Sequence, residues 1–169
     1  MRNLVTIMTS VVAVFAVAGM ASAGGVFVAT LSGTEEVPPV QANTRGRALV
    51  TFNEDDTAVE FVLQVRAGEG ITQAHIHCAP RGVNGPIVVF LAGLNAKGYN
   101  VDAILPWVSG ATLTDASVIP IDPAANPACP IAINNLRDLA QAVRAGNAYV
   151  NVHSVAHGSG VVRGQLSAK

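Results

Sequence analysis

Short runs of β-branched and other apolar residues, separated by clusters of turn-forming residues, limit most strongly what this chain can fold into. Strand-like runs at this spacing favour an antiparallel sandwich or barrel. The segments 47–52 and 58–65 flank an acidic turn and predict a hairpin. The strand-like runs lie at 26–31, 47–52, 58–65, 74–78, 87–91, 148–153 and 161–166.

Two segments depart from this strand pattern. Residues 92–131 are rich in glycine and proline and hold the only tryptophan, so we expect an extended excursion that Cys129 pins to the domain. After it, Asn134 and Asn135 offer a helix cap, and apolar residues follow at helical spacing as far as Gly146. One short helix near residues 135–145 is therefore predicted.

The N-terminal segment has the pattern of an export signal. Arg2 precedes an apolar run over 4–20, and the small residues Ala21, Ser22 and Ala23 follow it. The apolar run is short for a membrane anchor, so we expect cleavage after Ala23 and no membrane span afterwards. The sequence thus predicts a signal peptide at 1–23, one domain at 24–169 and a periplasmic or secreted location.

Charge and motifs exclude several classes of function. The chain carries 10 Lys+Arg against 11 Asp+Glu and has no basic run, so a nucleic-acid partner is not expected. No G-x-S-x-G motif occurs, and Ser154 directly after His153 does not have the spacing of a hydrolase triad.

The two cysteines, Cys78 and Cys129, both lie in the segment expected to be exported. An even count in an oxidising compartment predicts a disulfide between them. Because Cys78 directly follows His77, a thiolate metal ligand or nucleophile is the alternative.

The four histidines fall in two short segments, one with His75 and His77 and one with His153 and His157. Residues two apart in a strand share a face, with Cα atoms roughly 6.5 to 7 Å apart, so His75 and His77 can converge on one ion. His153 from another strand would complete a metal site, and His157 would be a fourth ligand or a supporting group. All-imidazole ligation favours copper or zinc over magnesium or calcium.

The alternative interpretation is structural. Histidines on a strand face also occur as exposed polar residues, and His153 beside Asn151 can serve as a hydrogen-bonding residue of the fold. His157 lies in a predicted loop next to Gly158, a setting more typical of a surface residue than of a ligand.

The sequence resembles the CHRD domain family, first named from chordin and found in many bacterial exported proteins, from about residue 26 to residue 166. The resemblance implies a Greek-key β-sandwich or barrel, immunoglobulin-like or similar to Cu/Zn superoxide dismutase, in which the two histidine-bearing strands meet. The segments that carry it are 31–33, 35–40, 46–48, 74–77, Gly82, 85–86, 148–153 and 160–166.

Cu/Zn superoxide dismutases also place an H-x-H pair on one strand and a later histidine on another around copper. This similarity suggests a three-imidazole copper site at His75, His77 and His153. The chain has nothing that resembles the dismutase zinc loop with its bridging histidine and zinc-binding aspartate, so superoxide dismutation is not implied and a binding protein is favoured over an enzyme.

The sequence thus leaves two hypotheses. The first is an exported protein that binds a transition metal, with copper favoured and zinc as the alternative. The second is a non-enzymatic adhesion or protein-interaction module with a protein partner at the cell envelope and structural histidines.

Overall fold

The computed structural model describes residues 24–169, so the expected signal peptide at 1–23 lies outside the described residues. Within that range the chain forms short strands and one α-helix, α1, at Leu136–Arg144. The strands are β1 Gly25–Leu31, β2 Arg45–Phe52, β3 Val59–Arg66, β4 Gly68–Cys78, β5 Ile87–Ala92, β6 Tyr99–Val101, β7 Trp107–Leu113, β8 Ala148–Ser154, β9 Val162–Gln165 and β10 Ser167–Ala168.

The strands form two antiparallel sheets in a sandwich-like arrangement, which confirms the mostly β fold. The first sheet has the order β10-β1-β2-β3-β7, and β2 and β3 form the predicted hairpin. The second sheet has the order β5-β4-β8-β9, and β6 also pairs with β4. Within residues 24–169 no helix is both long enough and apolar enough to cross a membrane.

Alternating side chains supply the core. In β3 the residues Val59, Phe61, Leu63 and Val65 are buried and the residues between them are exposed, because successive side chains of a strand point to opposite faces. Strand β8 and the end of β4 differ, since all their residues from Ala148 to Ser154 and from Ala74 to Cys78 are buried. On both faces, β8 and the end of β4 are therefore covered by other parts of the chain.

The predicted helix is confirmed. The Asn135 side chain accepts a hydrogen bond from the backbone N–H of Asp138 and so caps the first turn. Leu136, Leu139 and Val143 lie on the buried side of α1. At its other end, the Arg144 guanidinium forms a salt bridge with Asp56 at 2.7 Å, which ties the helix to the β2–β3 turn.

The segment 92–131 contains strand structure that the sequence did not predict. Strand β7 pairs along its length with β3 and forms one edge of the first sheet. The segment ends near the predicted disulfide, which is confirmed: Cys78, the last residue of β4, is bonded to Cys129, and both are fully buried. The alternative of a free Cys78 thiolate is therefore wrong.

Candidate metal centre

Three of the four histidines meet on the outer face of the second sheet. Strands β4 and β8 are adjacent, and their register places Asn151 opposite His75 and Gln73 opposite His153. Residues paired across antiparallel strands project from the same face, so His153 joins His75 and His77 there. Ala74 and Ile76 alternate with these histidines and point into the core between the sheets.

The three rings are close enough for one ion. One nitrogen from each of His75, His77 and His153 lies within 4.8 Å of the others. Nitrogens bound to a single copper or zinc ion at about 2 Å are at most about 4 Å apart, so binding requires a contraction of roughly 1 Å at the widest pair. His75 Nδ1 already lies 3.0 Å from His153 Nε2.

Backbone carbonyls fix two of the rings in the tautomer that a metal needs. The Nδ1 of His77 lies 2.9 Å from the carbonyl oxygen of Gly85, and the Nδ1 of His153 lies 2.9 Å from that of Gly158. A carbonyl oxygen only accepts, so each Nδ1 carries the proton and each Nε2 carries a lone pair. Histidine ligands are held by a hydrogen bond of this kind at the second nitrogen.

The cluster is buried, and the protein leaves part of it without hydrogen-bond partners. The exposed fraction of each residue is small, at 0% for His75, 8% for His77 and 5% for His153. The Nε2 atoms of His75 and His77 are buried and have no hydrogen-bond partner. Buried polar atoms are nearly always paired with protein or water, so two unpaired nitrogens in one cluster need an explanation.

Burial also keeps the cluster uncharged. Loss of hydration lowers the pKa of His75 to about 3, with a smaller contribution from the neighbouring His153. Burial lowers the pKa of His77 to about 4, although its hydrogen bond to the Gly85 carbonyl acts in the opposite direction. The pKa of His153 is lowered for the same reason. At neutral pH these imidazoles are therefore neutral, and the Nε2 lone pairs of His75 and His77 have no partner within the protein. The Nε2 lone pair of His153 faces the Nδ1 of His75 and would have to turn to a bound cation.

Aromatic side chains enclose the rings. Tyr149 stacks on His77 with ring centroids 4.9 Å apart and an angle of 9° between the planes. The Tyr149 hydroxyl oxygen accepts a hydrogen bond from the backbone N–H of Gly85. The carbonyl oxygen of the same glycine accepts the hydrogen bond from His77 Nδ1. On the other side, Phe90 meets His75 edge to face at a centroid distance of 4.5 Å. Phe90 is 46% exposed, so its ring both contacts His75 and reaches solvent.

Two charged groups that sequence reasoning did not assign to the site lie beside it. The Arg163 guanidinium is 2% exposed, lies 3.5 Å above the Tyr149 ring and donates to the oxygens of Asn84 and Val83. Glu36 is 6% exposed and accepts a hydrogen bond of 2.6 Å from the Asn151 side chain. Burial raises the pKa of Glu36 to about 7. The strand register, with Asn151 opposite Arg163, is the signal that connects them to the histidines.

His157 is not in the group of three. Its backbone N–H donates to the Ser154 hydroxyl, and the residue lines a shallow pocket together with Gln41 and Thr44. A role for His157 as a fourth ligand or supporting group therefore stays a prediction.

The comparisons with known proteins agree with this architecture. A family model described as the CHRD domain matches residues 27–166, which is nearly the whole described range. No curated protein and no solved structure matches the chain.

Proposed function

The chain belongs to the CHRD domain family, and we propose that it is an exported protein that binds one transition-metal ion, copper in preference to zinc, through His75, His77 and His153. The observation that carries the proposal is the pair of buried Nε2 atoms, on His75 and His77, that have no hydrogen-bond partner. A bound cation would satisfy both lone pairs at once.

The donor set supports a transition metal. Three imidazoles form the ligand group, and it contains no carboxylate, whereas magnesium and calcium prefer oxygen ligands. Divalent copper binds nitrogen sites more tightly than divalent zinc does, and structural zinc takes four protein ligands. These preferences favour copper over zinc.

Export is supported by the disulfide. Bonds such as Cys78–Cys129 form and persist in oxidising compartments and are rare in the cytosol. An exported protein would serve metal storage, metal delivery or protection of the envelope.

Metal titration of the purified protein tests the proposal. We expect one Cu or Zn ion per chain. Losing a group that merely supports a ligand typically costs 10–100-fold in affinity, so His77→Ala, which removes a ligand, should cost at least about that much. His157→Ala is the matched control, because His157 is the histidine outside the cluster, and it should bind as the wild type does. Circular dichroism checks that each variant is folded, and His153→Asn replaces His77→Ala if the latter does not fold.

Two results contradict the metal-binding proposal: a wild type without stoichiometric binding, or a His77→Ala variant with unchanged affinity. Either would favour an adhesion or protein-interaction module. The exposed apolar side chains of Ile104 and Leu105, at 79% and 74%, are the observation that supports that second candidate.

A further inference from the structure

Resting on the proposed metal function, we infer that the site is selective for the monovalent ion Cu(I) over Cu(II) and Zn²⁺. The site offers three buried imidazoles as ligands, water has little access to it, and a buried guanidinium lies beside it. The inference concerns which ion the cluster holds most tightly. It follows from two independent features, the coordination number that the site offers and the charge around it.

The coordination number that the site offers is low. The ligand group in the described part of the chain consists of His75, His77 and His153. Zinc sites complete four-coordination with a further protein ligand or with water, and Cu(II) prefers square-planar or tetragonal surroundings. Cu(I), a closed-shell d¹⁰ ion, is stable with two or three ligands.

Access for water as a fourth ligand is also restricted. The Nε2 atoms of His75 and His77 have essentially no solvent-accessible surface. Tyr149 lies flat against His77, and the edge-to-face contact with Phe90 covers His75. A divalent ion in this cluster would therefore lack the water that it normally retains.

Charge favours the monovalent ion in the same way. The ligands are neutral imidazoles, and the buried guanidinium of Arg163 lies above Tyr149, which stacks on His77. Glu36, the buried acid near Arg163, accepts its hydrogen bond from Asn151 and not from a histidine of the cluster. Burying charge without compensation is costly, and the cost rises with the charge of the ion.

The reduction potential of protein-bound copper, together with anaerobic competition for Cu(I) against bicinchoninate, tests the inference. Each tenfold preference for Cu(I) over Cu(II) raises the potential by about 59 mV above that of aqueous copper in the same cell. We expect a raised potential and a Cu(I) affinity at least about tenfold above that for Zn²⁺. Equal or tighter binding of Cu(II) or Zn²⁺ would overturn the inference and leave the proposed function intact, whereas absence of all metal binding would overturn both.

A variant that opens the site provides a second test. Phe90→Ala should admit water to the metal and lower the potential by about 59 mV or more, a tenfold loss of preference for Cu(I). The matched control is Val62→Ala, which removes a side chain of similar exposure, 41%, from the first sheet. The control should leave the potential unchanged, and an equal shift in both variants would contradict the role given to burial.

Discussion

At the scale of single residues, the three histidines differ in how well the protein alone satisfies them. His153 has a polar contact at both ring nitrogens, to the Gly158 carbonyl and to His75. His75 and His77 each have a contact at Nδ1 only. A histidine that serves the fold alone is expected to have both nitrogens paired, so these two are the residues for which a purely structural role explains least.

The metal-free protein should lose stability as the pH falls below about 6.5. The ordinary pKa of histidine is 6.5, whereas burial lowers that of His75 to about 3 and that of His77 to about 4 in the folded chain. At pH values between the lowered pKa values of the folded state and 6.5, these two histidines bind more protons in the unfolded chain than in the folded chain, so acid favours unfolding. Glu36 has the opposite effect on stability. Its pKa is raised from 4.5 to about 7 in the folded chain, so the folded chain binds a proton at a higher pH than the unfolded chain does.

The two histidines outweigh the one carboxyl group, and the net proton uptake on unfolding rises from a fraction of a proton at about pH 6.5 to about one proton near pH 5. Urea unfolding of the metal-free protein should therefore show a loss that steepens over this range to about 1.4 kcal/mol per pH unit near pH 5. A free energy of unfolding that stays constant or rises on acidification would show that the histidines are not buried in the neutral form.

A side chain at Gly160 is expected to destabilise the fold. Its φ is +140°, and a Cβ there would lie 2.7 Å from the Glu36 carboxylate and 2.6 Å from the Asn151 amide nitrogen. Gly160→Ala should reduce the free energy of unfolding by about 1–3 kcal/mol. In the matched variant Gly158→Ala, a Cβ meets nothing within 4 Å and the carbonyl that holds His153 is kept, so the change should stay within about 0.5 kcal/mol. Chemical denaturation of both variants compares them, and equal losses would contradict the close approach.

At the scale of elements, the sequence predicts those that are specified by nearby residues and misses those that are held by pairing with distant strands. Helix α1 was predictable because its cap and its apolar spacing lie within a dozen residues. Strand β7 was not, since residues Trp107 to Thr112 are all exposed or half-buried and the strand is held by pairing with β3, with Gly110 opposite Val62. An edge strand of this kind has no clear alternation of apolar and polar residues.

The same distinction applies to the candidate site. The H-x-H spacing places His75 and His77 on one face as soon as the segment forms a strand. That His153 joins them depends on the register of β4 against β8, and the carbonyls of Gly85 and Gly158 come from loops whose conformation no sequence pattern specifies. The resemblance to the CHRD domain family supplied the strand contact, which spacing alone left open.

The cap of α1 should contribute measurably to stability. Asn135→Ala removes the side-chain oxygen that accepts from the Asp138 N–H and should cost about 1 kcal/mol. Asn134→Ala is the matched control, because Asn134 contributes its backbone N–H to the Asp138 carboxylate and keeps it in the variant. Thermal unfolding of the two variants separates them, and a larger loss for Asn134→Ala would contradict the assignment of the cap.

At the scale of the whole molecule, the disulfide links β4, which carries His75 and His77, to the excursion at 92–131. Its two cysteines are 51 residues apart in the sequence, and closing such a loop stabilises a domain by about 4 kcal/mol in the chain-entropy estimate. The double variant Cys78→Ala/Cys129→Ala should lose about that much in chemical denaturation. Dithiothreitol should destabilise the wild type and leave the double variant unchanged, and equal stability of the two proteins without reductant would contradict the estimate.

The alternation along β4 has a further consequence, for misfolding. If β4 slipped by one residue against β8, the two histidines would enter the apolar core, Ile76 would face the polar loops, and Cys78 would point away from Cys129. Each of these exchanges is unfavourable, and the last leaves two free thiols. The disulfide is therefore expected to form in molecules whose strands β4 and β8 are in the native register. The same register brings the three imidazoles together, so the disulfide and the histidine cluster depend on one strand alignment.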